Sequence, residues 1–454
     1  MNRKRSSFSG KLGFVLSAAG ASVGLGNIWR FPYLAAKYGG GIFLLVYIIL
    51  ALTFGYTMIV AETALGRMTK KSPVGAYEAF GKSKWLSFGG WINAVIPILI
   101  VPYYSVIGGW VIKYLAEYLL GHGQALATDE YFSAFISNGC STEICFILFT
   151  LFTVVIIYAG VRNGIERVSK FMMPILVVLS LLIAVYSVSR PGAMSGVKYF
   201  LVPNLENFSW MTVVSAMGQM FYSLSIAMGI LITFGSYMKK DTSIEDSTQN
   251  VEIFDTAIAI MAGLMIIPAV FAFSGGDPDT LQAGPALMFI TIPKVFASMG
   301  LGAAVGTLFF VLVLFAAVTS SIALTESAVS TFEDELHWSR KKATVFMAVI
   351  MILLGTLSCL GYGPLSGVTV IGMQFLDFFD FLTNSVMMPI AAIATCLLVS
   401  KVIGVAKIEQ EVTDGGHPFR RKVVFQFMIQ YLCPIFAAII LISSVANAFG
   451  WISM

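Results

Sequence analysis

The chain has 454 residues, of which 57% are hydrophobic and only 11% charged, with a mean hydropathy of +0.85. A soluble domain carries about 25% charged residues, so the composition excludes a soluble protein and leaves little room for a soluble domain. The net charge of +4 resides in loops and gives no reason to expect nucleic-acid binding.

Eleven apolar stretches are long enough to cross a bilayer. They lie near residues 12–36, 41–66, 88–120, 144–161, 166–188, 211–237, 250–274, 301–334, 340–361, 368–400 and 423–450. The N-terminus and alternate loops after it hold 22 of the 28 basic residues, whereas the intervening loops hold only Lys37, Arg190, Lys198 and Lys294. Lysine and arginine collect in cytoplasmic loops. The N-terminus is therefore expected in the cytoplasm and the C-terminus outside, in a multi-pass protein of the plasma (inner) membrane. No cleavable signal peptide is expected, since the first stretch is long and carries the interrupted motif. Cys140 and Cys145 flank an acidic stretch of an outer loop, where a disulfide is one possibility.

The first apolar stretch contains Gly20-Ala21-Ser22-Val23-Gly24-Leu25-Gly26-Asn27, followed by Arg30, Phe31 and Pro32. Three glycines in seven residues weaken a helix, and broken backbone at membrane depth is tolerated only where it lines a cavity or is buried in protein. Five stretches later, Ser223, Ser225 and Gly229 interrupt the sixth in the same way. Transporters with inverted repeats carry broken helices in corresponding positions. The expected fold is an all-α polytopic membrane protein: eleven transmembrane helices, with two inverted five-helix repeats whose first members, spans one and six, are broken. The repeats would cover 1–190 and 191–402, leaving 403–454 for a cytoplasmic loop and span eleven. Half-helix N-termini suit a carboxylate, and half-helix C-termini with free carbonyls suit Na⁺ or an ammonium group.

These residues resemble the neurotransmitter:sodium symporter family, whose bacterial members share the leucine-transporter fold, and eleven spans rather than twelve resembles many prokaryotic members. The resemblance runs through Val23-Gly24-Leu25-Gly26-Asn27, Arg30-Phe31-Pro32, Gly39-Gly40-Gly41, Gln219-Met220-Phe221, Thr319-Ser320-Ser321, the Phe332 to Leu336 run, and Asp377 with Asp380. It implies two sodium sites. One would use the Ser22 carbonyl, Asn27, Ser223 and Asp255. The other would use carbonyls of Gly20, Val23 and Ala316 with the hydroxyls of Thr319 and Ser320. An ionised Asp255 would supply the negative charge that chloride supplies in animal members, so transport is expected to be chloride-independent. The alternative puts Asp255 at a solvated cytoplasmic mouth.

The resemblance also implies a substrate pocket of Ala21, Ser22, Leu25, Gly26, Ile100, Tyr104, Tyr222, Ser223, Ser225, Ala227, Met228, Ser320 and Leu324. Amides of Leu25 and Gly26 with the Tyr104 hydroxyl would hold a carboxylate, and carbonyls of Ala21, Tyr222 and Ser223 an ammonium group. A side-chain subsite without charge, with an adaptable Met228, points to neutral hydrophobic, large or aromatic L-amino acids; Ala227, where glycine is usual, would trim it. Arg30 and Asp380 would form the outer gate. Arg5 and Asp334, near Phe8 and Tyr237, would form the inner one. Glu62 is expected to hydrogen-bond the broken backbone of span six. Gly164 and Pro174, nine residues between them, would let span five unwind for inward release. The expected activity is Na⁺-coupled symport with two ions, by a monomer or weak dimer in the bilayer. A channel lacks an open polar path here, and a membrane enzyme lacks a nucleophile–base set. An amino-acid-binding transceptor that moves little is the alternative.

Overall fold

The computed structural model describes residues 6–276 and 284–452. Nine continuous helices among them are long and apolar enough to cross a membrane: Gly41–Thr69, Lys84–Leu119, Gly139–Tyr158, Val161–Val188, Ile244–Ser274, Gly302–Glu335, Arg340–Leu360, Phe375–Ile403 and Lys422–Ala448. A tenth span is the bent pair Lys11–Ser22 and Gly26–Lys37, whose halves meet at 54°. Between the fifth and seventh spans stand two shorter helices, Trp210–Ser223 and Ile230–Tyr237, separated by six non-helical residues. Taken as one interrupted crossing, they complete the expected order of eleven.

Only helices satisfy their own backbone in lipid, and the residues at the helix starts fit that demand. The Trp210–Ser223 helix begins with reciprocal bonds between Ser209 and Thr212, and Ile244–Ser274 begins at Ser243, whose hydroxyl accepts from the Asp246 N–H. Span ten begins later than its apolar run, because the glycine-rich stretch 361–374 forms turns closed by a bridge between Val370 and Met373. Spans three and eight bury 78% and 72% of their apolar window, against 39% for spans four, five and nine and 33% for span eleven. The first group forms the core. The second turns Leu148, Phe152, Leu182, Leu353 and Ile442 outward, as surface that faces lipid acyl chains.

The basic loops gather on one face with the start of span one. There Lys239 Nζ reaches the Ser9 carbonyl at 2.9 Å, the Ser72 N–H donates to Asp334 at 2.7 Å, and buried Arg67 meets Glu411 at 2.7 Å. Cys140 and Cys145 are both free thiols on the single helix Gly139–Tyr158. Five residues apart on a helix, they point about 140° away from each other, so the possible disulfide does not form.

Candidate substrate and cation sites

The inner half of span one stops at Ser22. Val23 turns extended, with ψ of 90°, while its N–H still reaches the Ala19 carbonyl at 2.7 Å. Glycine is needed just beyond because neighbours come close. A Cβ on Gly24 would lie 2.7 Å from Ser320 Oγ, and one on Gly26 would lie 2.6 Å from the Tyr222 ring. The second interruption is built differently. Ser225, Ala227 and Gly229 take positive φ values of 53°, 59° and 68°, which cost non-glycine residues roughly 1–3 kcal/mol each. Two bonds hold the strained loop: Ser225 Oγ donates to the Ala21 carbonyl at 3.1 Å, and the Ala227 N–H donates to Glu62 at 2.8 Å. Glu62 is fully buried and does bond the broken backbone of span six.

A cavity of about 30 Å³ lies between the two interruptions. Ala21, Ser22, Leu25 and Gly26 line it from span one, Ile100 and Tyr104 from span three, Tyr222, Ser223, Ser225 and Met228 from span six, and Ser320 and Leu324 from span eight. Ala227 is the exception among the expected residues. Its amide turns to Glu62, and it is not in the lining, so it does not trim this space. Gly24, Asn27 and Ile230 join the lining instead. The Tyr104 hydroxyl accepts from the Leu25 N–H at 3.4 Å, at the first free amides of the outer half-helix.

Asp255 sits midway along Ile244–Ser274 and is fully buried, not at a solvated mouth. Its carboxylate accepts from Asn27 Nδ2 at 2.8 Å, from Ser223 Oγ at 2.9 Å and from the Tyr47 hydroxyl at 3.1 Å. All three donors are neutral. A buried carboxylate without a cationic side chain is costly, and this donor set leaves its charge to be matched by a cation. On the other flank, Ser320 Oγ lies 3.3, 3.2 and 3.5 Å from the carbonyl oxygens of Gly20, Ala21 and Val23. Thr319 Oγ1 lies 3.1 Å from the Ala316 carbonyl. These hard oxygens, close together and largely neutral, fit a small monovalent cation.

Above the cavity opens a vestibule of about 390 Å³ that includes both Arg30 and Asp380. Each has its own partner there. The Arg30 guanidinium stands over the Tyr222 ring at 5.3 Å, and Asp380 accepts from Asn384 at 2.6 Å and from Tyr103 at 3.2 Å. The opposite end is closed. Phe8 packs edge-on against Phe14, Phe234 and Tyr237, at 5.6 to 6.0 Å between ring centres. The Tyr237 hydroxyl donates to Glu326 at 2.6 Å, and Arg340 grips the same carboxylate. Arg5, expected opposite Asp334, lies outside the described residues.

The model of the sodium:neurotransmitter symporter family matches residues 5–143 and 132–450. The chain belongs to that family. It is 33% identical over 441 residues to the uncharacterized sodium-dependent transporter YhdH of Bacillus subtilis, covering 96% of this chain and 97% of that one. The sodium- and chloride-dependent glycine transporter 2 of Xenopus laevis is 26% identical over 502 residues, covering 92% of this chain and 62% of that one. Among solved structures, the crystal structure of MhsT in complex with L-phenylalanine superposes with a TM-score of 0.87 at 35% identity, over 97% of this chain and all of that one. The symporter is thus a membrane transporter and not an enzyme. Two of its site residues carry no local signal in the sequence. Tyr47 lies in an unbroken apolar run, and Gln219, which donates to the Gly26 carbonyl at 3.1 Å, shows only as part of a motif.

Proposed function

We propose that the symporter imports neutral hydrophobic L-amino acids, large or aromatic ones foremost, together with two Na⁺, by alternating access and without chloride. The observation that carries this reading is the cavity between the two interruptions, lined without a charged side chain and flanked by buried Asp255 on one side and by clustered carbonyls on the other. Free amides at Leu25 and Gly26, with Tyr104, hold the substrate carboxylate. Carbonyls of Ala21, Tyr222 and Ser223 hold its ammonium group. Met228 and Leu324 with Ile100 take the side chain, and the phenylalanine complex of MhsT supports an aromatic one.

One Na⁺ takes the Ser22 carbonyl, Asn27, Ser223 and Asp255. The other takes carbonyls of Gly20, Val23 and Ala316 with Thr319 and Ser320. The Asp255 charge makes chloride unnecessary. In this reading the face with the N-terminus is cytoplasmic, the membrane is the plasma membrane, and the vestibule opens outward. Arg30 and Asp380 close over the bound amino acid. The bundle of spans one, two, six and seven then rocks, and the cluster of Phe8, Tyr237 and Asp334 opens. The two inverted repeats, 1–190 and 191–402, supply the symmetry for that exchange, and Gly164 and Pro174 the release hinge. Two positive charges moved through 100 mV are worth roughly 4.6 kcal/mol. That sustains about thousandfold accumulation, at roughly 1.4 kcal/mol per decade.

Uptake of labelled tryptophan, tyrosine, leucine and alanine into proteoliposomes tests the reading, with Na⁺ or K⁺ outside and with chloride or gluconate as anion. Accumulation that needs Na⁺, survives in gluconate and favours the larger substrates is expected. Equal uptake in K⁺ would remove the sodium assignments, and loss in gluconate would remove the role given to Asp255.

A further inference from the structure

Glu166 is a buried carboxylate in span five to which the transport cycle above gives no task. It ends the wide helical turn Val161–Glu166 and is 2% exposed. One carboxylate oxygen accepts from the Ser9 backbone N–H at 2.9 Å. The other takes the Ser9 hydroxyl and, at 2.6 Å, the Lys170 ammonium. The carboxyl group also presses on the first turn of span one, where a Cβ on Gly13 would lie 2.4 Å from its oxygen and 2.5 Å from its carbon. From the far side, Lys239 donates to the Ser9 carbonyl at 2.9 Å, and the Phe8 N–H donates to the Tyr237 carbonyl at 3.1 Å. Residues 8 and 9 therefore pin spans one, five and six together at the closed end.

This clasp is mounted on a weak stretch of helix. Glu166, Lys170 and Pro174 are four residues apart and stack on one face. Pro174 lies inside the helix Arg167–Val188 and has no N–H, so the Lys170 carbonyl lacks its usual intrahelical donor. At the other end Gly164 is tied to Gly160 by a 2.9 Å backbone bond, where a side chain has no room because a Cβ would lie 2.0 Å from the Ile156 carbonyl.

We infer that Glu166 is the positioning residue that couples the span-five hinge to the inner half of span one. While 161–173 is helical, Glu166 holds Ser9 and Gly13 in place and the closed end stays shut. Unwinding of that stretch withdraws the carboxylate and frees the segment before span one to swing. The consequence for release rests on the transport reading, whereas the coupling itself is a property of the contacts.

Hydrogen–deuterium exchange of the full-length protein in nanodiscs tests it, with peptides covering 6–16 and 161–173 followed in Na⁺ and in K⁺. Glu166→Gln removes the charge from the clasp and should speed exchange in 6–16 roughly tenfold. Pro174→Ala restores a helix donor, and should slow exchange in 161–173 and, through Glu166, in 6–16 as well. The double variant should keep the first slowing and lose the second. A purely structural Glu166 would not transmit the Pro174→Ala effect, so slowing confined to 161–173 overturns the inference, as does Glu166→Gln exchange equal to wild type in 6–16. Should Glu166→Gln not fold, Ser9→Ala in its place should abolish part of the transmitted slowing, and full transmission would again overturn it. Exchange identical in Na⁺ and K⁺ throughout would count against the transport reading alone, since the linked response of the two segments does not depend on it.

Discussion

The two interrupted spans reach similar ends by opposite means. In span one the break lies among glycines whose φ angles are ordinary, and glycine is there because Ser320 and Tyr222 leave no room for a side chain at Gly24 and Gly26. In span six the break runs through Ser225 and Ala227 at left-handed angles that glycine would take freely. The first is shaped by close approach of its neighbours. The second is strained backbone held by bonds from elsewhere, chiefly from Glu62. The lesson is that a helix can be opened at membrane depth either by subtracting side chains or by adding external acceptors.

The two meet at Asp255, which bonds Asn27 of the first and Ser223 of the second. If they form one site through that carboxylate, Asp255→Asn should have the largest effect of any single change at either break. Removing the charge should raise the Na⁺ concentration for half-maximal substrate binding on the order of a hundredfold, measured by scintillation proximity on purified protein. An unchanged sodium dependence would separate the two breaks and leave Asp255 a structural acid.

Gly26→Ala strikes the first break alone. The new methyl would sit 2.6 Å from the Tyr222 ring, and overpacking of this kind costs about 1–3 kcal/mol. Because Tyr222 lines both the cavity and the vestibule above it, substrate affinity should fall about tenfold or more, and the melting temperature should fall by roughly 1–3 °C. Normal affinity would mean that Tyr222 can step aside and that glycine is not required there.

The contrast also explains what could be read from the sequence. Glycines dense enough to interrupt an apolar run announce the first break, and a lone carboxylate such as Glu62 announces a buried partner even when the partner is unnamed. Ser223, Ser225 and Gly229 announce the second break as well, but its strain is silent, because serine and alanine carry no mark of a positive φ. Tyr47 is silent too, since a tyrosine in an unbroken apolar stretch looks like any packing residue until its hydroxyl is found on Asp255. Ala227 misleads for the same reason: its place next to Met228 in the chain implies the cavity, but the left-handed turn carries its amide to span two. The late start of span ten follows from glycines and a proline at 361–372 that an apolar count overlooks.

Glu62→Ala tests the external support of the second break. It would leave the Ala227 N–H buried and unpaired, which costs about 1–3 kcal/mol, so thermal stability in detergent should drop by roughly 1–3 °C. Glu62→Gln keeps an acceptor and should lose less than half of that. Equal losses for both would show that charge, not the hydrogen bond, matters at this position.

The smallest effect is expected at the strained residue itself. Ala227→Gly relieves a left-handed alanine, worth about 1–2 kcal/mol. It also adds freedom to the unfolded chain, at about 0.4–1 kcal/mol, and removes a buried methyl, at about 0.8 kcal/mol. These terms nearly cancel, so stability should stay within about 0.5 kcal/mol of wild type. Gly229→Ala should not be so mild. It combines φ of 68° with a Cβ 2.8 Å from the Asn93 carbonyl, so strain and collision add. Measured together by thermal unfolding, a near-neutral Ala227→Gly beside a destabilised Gly229→Ala supports strain that the surroundings absorb. A loss above about 1 kcal/mol for Ala227→Gly would show instead that the alanine methyl, rather than the Glu62 bond, is what keeps the second break in place.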